Sequence, residues 1–165
     1  MSTGTGYPVA VEVVVLSQRD GRLRYRTLRT DLRHDAYPDD VALCLSGLSL
    51  CSPGGLLHST SWRHAPGGLV LTYAALPDPR PDLAEADVAA DGMRCGAGPL
   101  MPSPPSIDAD AVATHACRHL ALLHTTDPLA HDAARHQPEL WSLISKLTPG
   151  GAGSPHPPLA AAAPS

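Results

Sequence analysis

Apolar and polar positions set the first elements by running together in one stretch and alternating in the next. Pro8–Leu16 (PVAVEVVVL) is β-branched and apolar on both faces, which suits a central strand covered from both sides. Glu12 is the one charge inside it. Asp20-Gly21 follows, a dipeptide that accepts the positive φ angles of a tight hairpin. The return segment Arg22–Leu28 alternates strictly. Leu23, Tyr25 and Thr27 point one way, and Arg22, Arg24 and Arg26 point the other. A second hairpin is expected from Leu56–His64, a turn at Ala65-Pro66-Gly67-Gly68, and Leu69–Leu76.

Between the hairpins the pattern weakens. Residues 29–40 are polar and irregular, and Pro38-Asp39-Asp40 reads as a helix start with Asp as its cap. Val41–Leu50 fits helix or strand, because Leu43, Leu45, Leu48 and Leu50 follow neither period, and Ser52-Pro53-Gly54-Gly55 ends it. Further on the period becomes helical. From Ser106 or Asp108 to about His124, the residues Val112, Ala116, Leu120 and Leu123 form one apolar stripe. Asp127-Pro128 opens a second helix, Asp as cap and Pro as first residue, and Gln137-Pro138 restarts it. Leu140, Trp141, Leu143, Ile144 and Leu147 carry its stripe to Thr148. Strands first and helices afterwards predict an α+β fold, antiparallel hairpins packed against two C-terminal helices.

Composition bounds the rest. Residues 8–148 are expected to form a single domain, preceded by a polar leader (1–7) and followed by a disordered Pro/Ala/Gly tail (149–165). A long connection rich in Pro, Asp and Gly spans 77–106, with a short strand near Met93-Arg94-Cys95. The chain is 43% hydrophobic but only 4% aromatic, with no Phe, so its core must come from Leu, Val and Ala. Eleven Arg against one Lys, two Ile and no Asn reflect a high-GC genome, which accounts for the abundance of Ala, Pro and Arg.

A net charge of −4 does not suit a nucleic-acid binder. No apolar run approaches the ~18 residues of a membrane span, and the start lacks the basic residues of a secretory signal. A cytoplasmic protein is expected. Cys44, Cys51, Cys95 and Cys117 have no Cys-x-x-Cys spacing, and read as small buried hydrophobes.

The first 76 residues resemble the opening of a Nudix-type domain. Val9–Leu28 is similar to its first strand pair, Gly47-Leu48 sits where that family closes its catalytic helix, and His58–Arg63 with Leu69–Leu76 resembles the next hairpin. The family's chemistry rests on several glutamates clustered on one short helix, which hold Mg²⁺ against a pyrophosphate. Here the only glutamates are Glu12, Glu85 and Glu139, and Val41–Leu50 has acidic residues only before it, at Asp39 and Asp40. The resemblance therefore implies the fold without the family's metal site, and no catalytic role is carried over.

Three groups of side chains carry candidate chemistry. His58, Thr60, Trp62 and His64 share one face of a strand in strict alternation, with Ser59, Ser61 and Arg63 on the other. Such a strand lines a pocket in which Trp62 stacks on a ligand and His58 or Arg63 holds an anion. Otherwise it is an edge strand facing solvent. His115 and His119, four apart on a helix, can face one metal ion with His124, Cys117, His58 or His64 as third ligand. The plain alternative is a pair of packed histidines. Arg19, Arg22, Arg24, Arg26, Arg29 and Arg33 could attract a phosphate or acidic partner, or form a solvated strand face.

No Gly-x-Ser-x-Gly elbow and no phosphate-cradling glycine loop occurs. The expectation is a non-catalytic accessory domain that binds an anionic small molecule or a protein partner, its cofactor unspecified. The alternatives are a metal-dependent enzyme using His115 and His119, or a divergent Nudix-like hydrolase.

Overall fold

The computed structural model describes residues 6–89 and 109–149, and its architecture is mixed α+β. Five strands form one sheet in the order β3–β4–β1–β2–β5: β1 is Val9–Arg19, β2 Arg22–Asp31, β3 Leu56–Ala65, β4 Gly68–Leu76 and β5 Ala86–Asp87. The helices are α1 Pro38–Ser46, α2 Ala109–Thr126, α3 Pro128–His136 and α4 Pro138–Ile144. Pairing is antiparallel except between β1 and β4, which run parallel.

The apolar run of β1 occupies the middle of the sheet, as its two-sided character predicts. Val14 and Leu16 join Leu23, Tyr25, Ala74 and Leu76 on the face covered by α2, α3 and α4. Val11, Val13 and Val15 join Tyr73 and Ala75 on the opposite face, under Ala42 of α1 and Leu48. The sheet is therefore a middle layer between helices on both sides. Asp20 and Gly21 take φ of 52° and 72° at the first hairpin, the paired positive angles that let two strands meet without splaying.

Several details differ from expectation. β2 continues to Asp31, because Arg29, Thr30 and Asp31 keep pairing with Glu12, Val11 and Ala10. Val41–Leu50 starts as helix, but the cap of α1 is Tyr37 with Pro38 as first residue, and no side chain closes the cap. Asp39 and Asp40 instead lie in the first turn, where the helix dipole favours negative charge. Asp39 also accepts a 2.5 Å hydrogen bond from the Tyr73 hydroxyl. Gly47 ends α1 at φ 70°, a left-handed cap open to glycine at little cost.

The second C-terminal helix is two helices. Asp127 caps α3 by accepting from the Leu129 and Ala130 amides, and Gln137 leaves the helical region ahead of Pro138. Past β4 the chain makes a short 3₁₀ turn, Pro81–Leu83, and then β5, which adds a two-residue edge beside Arg24 and Tyr25. The strand expected near Met93 and the expected leader (beyond Gly6) and tail (beyond Pro149) lie outside the described residues. Of the cysteines, Cys117 is buried as expected, whereas Cys44 and Cys51 are exposed, and Cys95 lies outside the described residues.

The arginine face of β2 is not uniformly solvated. Arg22 remains at the surface, Arg24 is three-quarters covered, and both engage Asp87 of β5. Arg26 is buried and makes two 2.8 Å bonds to the oxygens of Asp78. Asp78, two residues past β4, is carried over that face by the bond from its amide to the Leu16 carbonyl. The bound carboxylate raises the Arg26 pKa further, against the opposing effect of burial.

Candidate functional site

The strand expected to present His58, Thr60, Trp62 and His64 together does not alternate strictly. A bulge between Ser59 and Ser61 inserts Thr60, so that Ser59 pairs with Tyr73 but Ser61 pairs with the next residue back, Thr72. One extra residue reverses the sides of everything beyond it. His58, opposite Ala74, and Arg63, opposite Val70, both face α2, whereas Trp62, opposite Leu71, faces the α1 side. Thr60 is buried at the bulge and donates to the Thr72 carbonyl at 3.2 Å. The predicted group is divided between two faces.

On the α2 side, three histidines meet. The His58 ring lies on that of His119 with centroids 5.2 Å apart and planes 24° from parallel. His115, one helical turn before His119, reaches the backbone of Thr60. Nε2 of His115 and both ring nitrogens of His119 are buried without a hydrogen-bond partner, an uncommon condition for buried polar atoms. Burial lowers the pKa of His115, with a smaller push from Arg118. Burial lowers His119 as well, aided by His58 and His115. Both rings are therefore neutral at neutral pH, able to accept a hydrogen bond or ligate a metal.

Those depressed values carry a prediction. The unfolded chain titrates these histidines near 6.5, above the folded values, so it binds more protons in the window just below that pH. Stability is complete above the unfolded value and falls as pH drops through it towards the folded values. Thermal melts between about pH 7.5 and about pH 5.5 should show this decline, and His119→Leu should flatten it. An unchanged slope in the variant would show that other groups govern the acid limb.

Arg63 is not free to hold an anion. Its Nη1 and Nη2 grip the two oxygens of Glu12 at 2.8 and 2.9 Å, and Nη1 also donates to Thr72 Oγ1 at 3.0 Å. Glu12 is 6% exposed within the otherwise apolar run Val9–Leu16 of β1. This partnership was missed in the sequence, although a lone carboxylate in such a run demands a cation.

On the other face, Trp62, His64 and Tyr7 form a row. Trp62 meets His64 edge-on at 5.6 Å, and His64 meets Tyr7 at 6.3 Å. Trp62 is 64% exposed and Tyr7 61%. β3 is an edge strand, and α1 packs over β1, β2 and β4. The row therefore stands at an open edge. His124, the other histidine of α2 considered as a third ligand, is elsewhere: it stacks on His131, meets Trp141 at a tilt and bonds Ser145.

Among the described residues, no three His, Cys, Asp or Glu groups are set to hold a metal ion as they stand. Surface grooves of about 450, 480 and 570 Å³ are lined by other side chains, including His124 and His131, Cys51 and Leu129, and Arg22 and Asp87. No helix among the described residues is long and apolar enough to cross a membrane. Compared with known proteins, the chain matches no family model and no curated protein.

Proposed function

We propose that the chain is a non-catalytic binding domain, Nudix-like over residues 9–76, that takes a protein partner on the β3 edge of its sheet. The observation that carries this reading is Trp62, 64% exposed on an edge strand beside His64 and Tyr7. Large aromatic side chains are costly to leave in water, and they anchor interfaces when a partner covers them. An outer strand adds its unpaired backbone groups, which a second strand can engage. The Nudix-like part of the reading is supported by α1, which ends at Gly47 between two strand pairs.

A protein partner is favoured over an anionic small molecule by the state of Arg63. Its guanidinium already satisfies Glu12 and Thr72. Displacing it towards a ligand would strand a buried carboxylate, which costs more than a surface phosphate contact returns. The hydrolase alternative has little to draw on in α1, where Asp39 is occupied by Tyr73.

A photo-crosslinking amino acid placed at position 62, and separately at Tyr37, tests this in cells of the source. Tyr37 is 76% exposed beside α1 and serves as the control. Discrete crosslinked species are expected from position 62 and not from 37. Equal patterns from both positions, or none from 62, would reject the edge as a docking surface.

A further inference from the structure

We infer that His58, His115 and His119 form a binding site for one transition-metal ion of Zn²⁺ character, on the α2 side of the sheet, opposite the face that carries Trp62. The fold brings together one imidazole from a strand and two from successive turns of α2, across 61 positions of sequence between His58 and His119. Two helical histidines four apart share a face, which is the spacing that lets both reach one ion. Imidazole sets of this kind suit Zn²⁺, Co²⁺, Ni²⁺ or Cu²⁺. Hard cations such as Mg²⁺ need clustered oxygens, and the nearest buried carboxylate on this face, Glu12, is committed to Arg63.

The unpartnered nitrogens support the assignment independently of the spacing. A ligating histidine usually has one nitrogen fixed by a backbone carbonyl or carboxylate and offers the other to the metal. His115 has this arrangement: it bonds the Thr60 backbone, and its Nε2 has no partner. His119 has both nitrogens unpaired and buried. A bound ion would satisfy Nε2 of His115 and one nitrogen of His119 at once, with water completing the fourth position.

One adjustment is required. His58 now lies flat against His119, so it must turn about its side-chain torsions to add its own nitrogen. It is half-buried on an edge strand, next to the bulge at Thr60.

The test is a Co²⁺ titration of the chelator-stripped full chain, followed by Zn²⁺ competition. One equivalent of Co²⁺ should give the visible bands of a tetrahedral site, and Zn²⁺ should abolish them. Replacing a ligand should weaken binding by at least the ~10–100-fold seen when outer partners are lost. His58→Gln is the principal variant, since a half-exposed strand position leaves folding intact should His119→Gln disrupt α2. His131→Gln controls for the separate His124–His131 stack. Tetrahedral bands in the wild type and in His131→Gln, lost in His58→Gln, support the site. Any other pattern, including the absence of bands in the wild type, overturns it.

Discussion

Asp78→Ala should unfold the protein at markedly lower denaturant, with a loss of about 3–5 kcal/mol, the cost of breaking a buried ion pair from one side. The Asp78 side chain is fully buried and that of Arg26 is 8% exposed. Both carboxylate oxygens are used by Arg26, and one also accepts the Arg80 amide at 2.8 Å. Removing the carboxylate leaves a guanidinium that cannot lose its proton and that water barely reaches. Asp78→Asn keeps part of the hydrogen bonding without the charge and should fall between. Replacing both partners by apolar residues, Arg26→Met with Asp78→Leu, should recover most of the loss. Urea melts of the four proteins measure all three effects. A loss below about 1 kcal/mol for Asp78→Ala would place the pair with ordinary surface bridges and refute its burial.

Trp141→Ala is expected to cost a similar ~3–5 kcal/mol, because it empties the largest side chain of the helical layer. Trp141 is 2% exposed and lies in the cluster that joins α2, α3 and α4 to the sheet, with His124 against its ring at 5.3 Å. α4 has only seven residues, too few to stand without such an anchor. The variant should therefore lose hydrogen-exchange protection in α4 first. Trp141→Phe, which keeps the ring, should cost far less. The sequence contains two tryptophans and Trp62 is solvated, so removing Trp141 should also leave fluorescence emission that is wholly red-shifted. Near-native stability in Trp141→Ala would mean that α4 does not depend on this contact.

Local signals carried much of the fold. The two-sided apolar run of β1, the Asp20-Gly21 turn and the Asp127-Pro128 cap each state their structure within a few residues, and each stands where the pattern puts it. What failed depended on partners distant in the chain. Arg26 alternates perfectly with its neighbours, yet Asp78, 52 residues away, removes it from solvent. The bulge at Thr60 has no glycine to announce it, and it alone decides that His58 parts from Trp62. The histidine cluster was half legible: the helical spacing of His115 and His119 was visible, but the choice of His58 among four possible third partners required the strand to be placed against α2. Glu12 was the one clear local contradiction, a carboxylate in a buried strand, and its resolution by Arg63 came only with β4 lying between them.

The parallel seam between β1 and β4 constrains the order in which this domain can assemble. The first hairpin closes over a two-residue turn and the second does likewise, so each can form soon after its residues emerge. Joining them requires Val9 to meet Leu69, and the chain must first lay down everything between. Until then Val11, Val13 and Val15 have no β4 beside them, and the most aggregation-prone strand of the molecule has an open flank. A ribosome-bound fragment ending before residue 69 therefore carries an uncovered β1, and the step that protects it is the docking of one preformed ribbon onto the other.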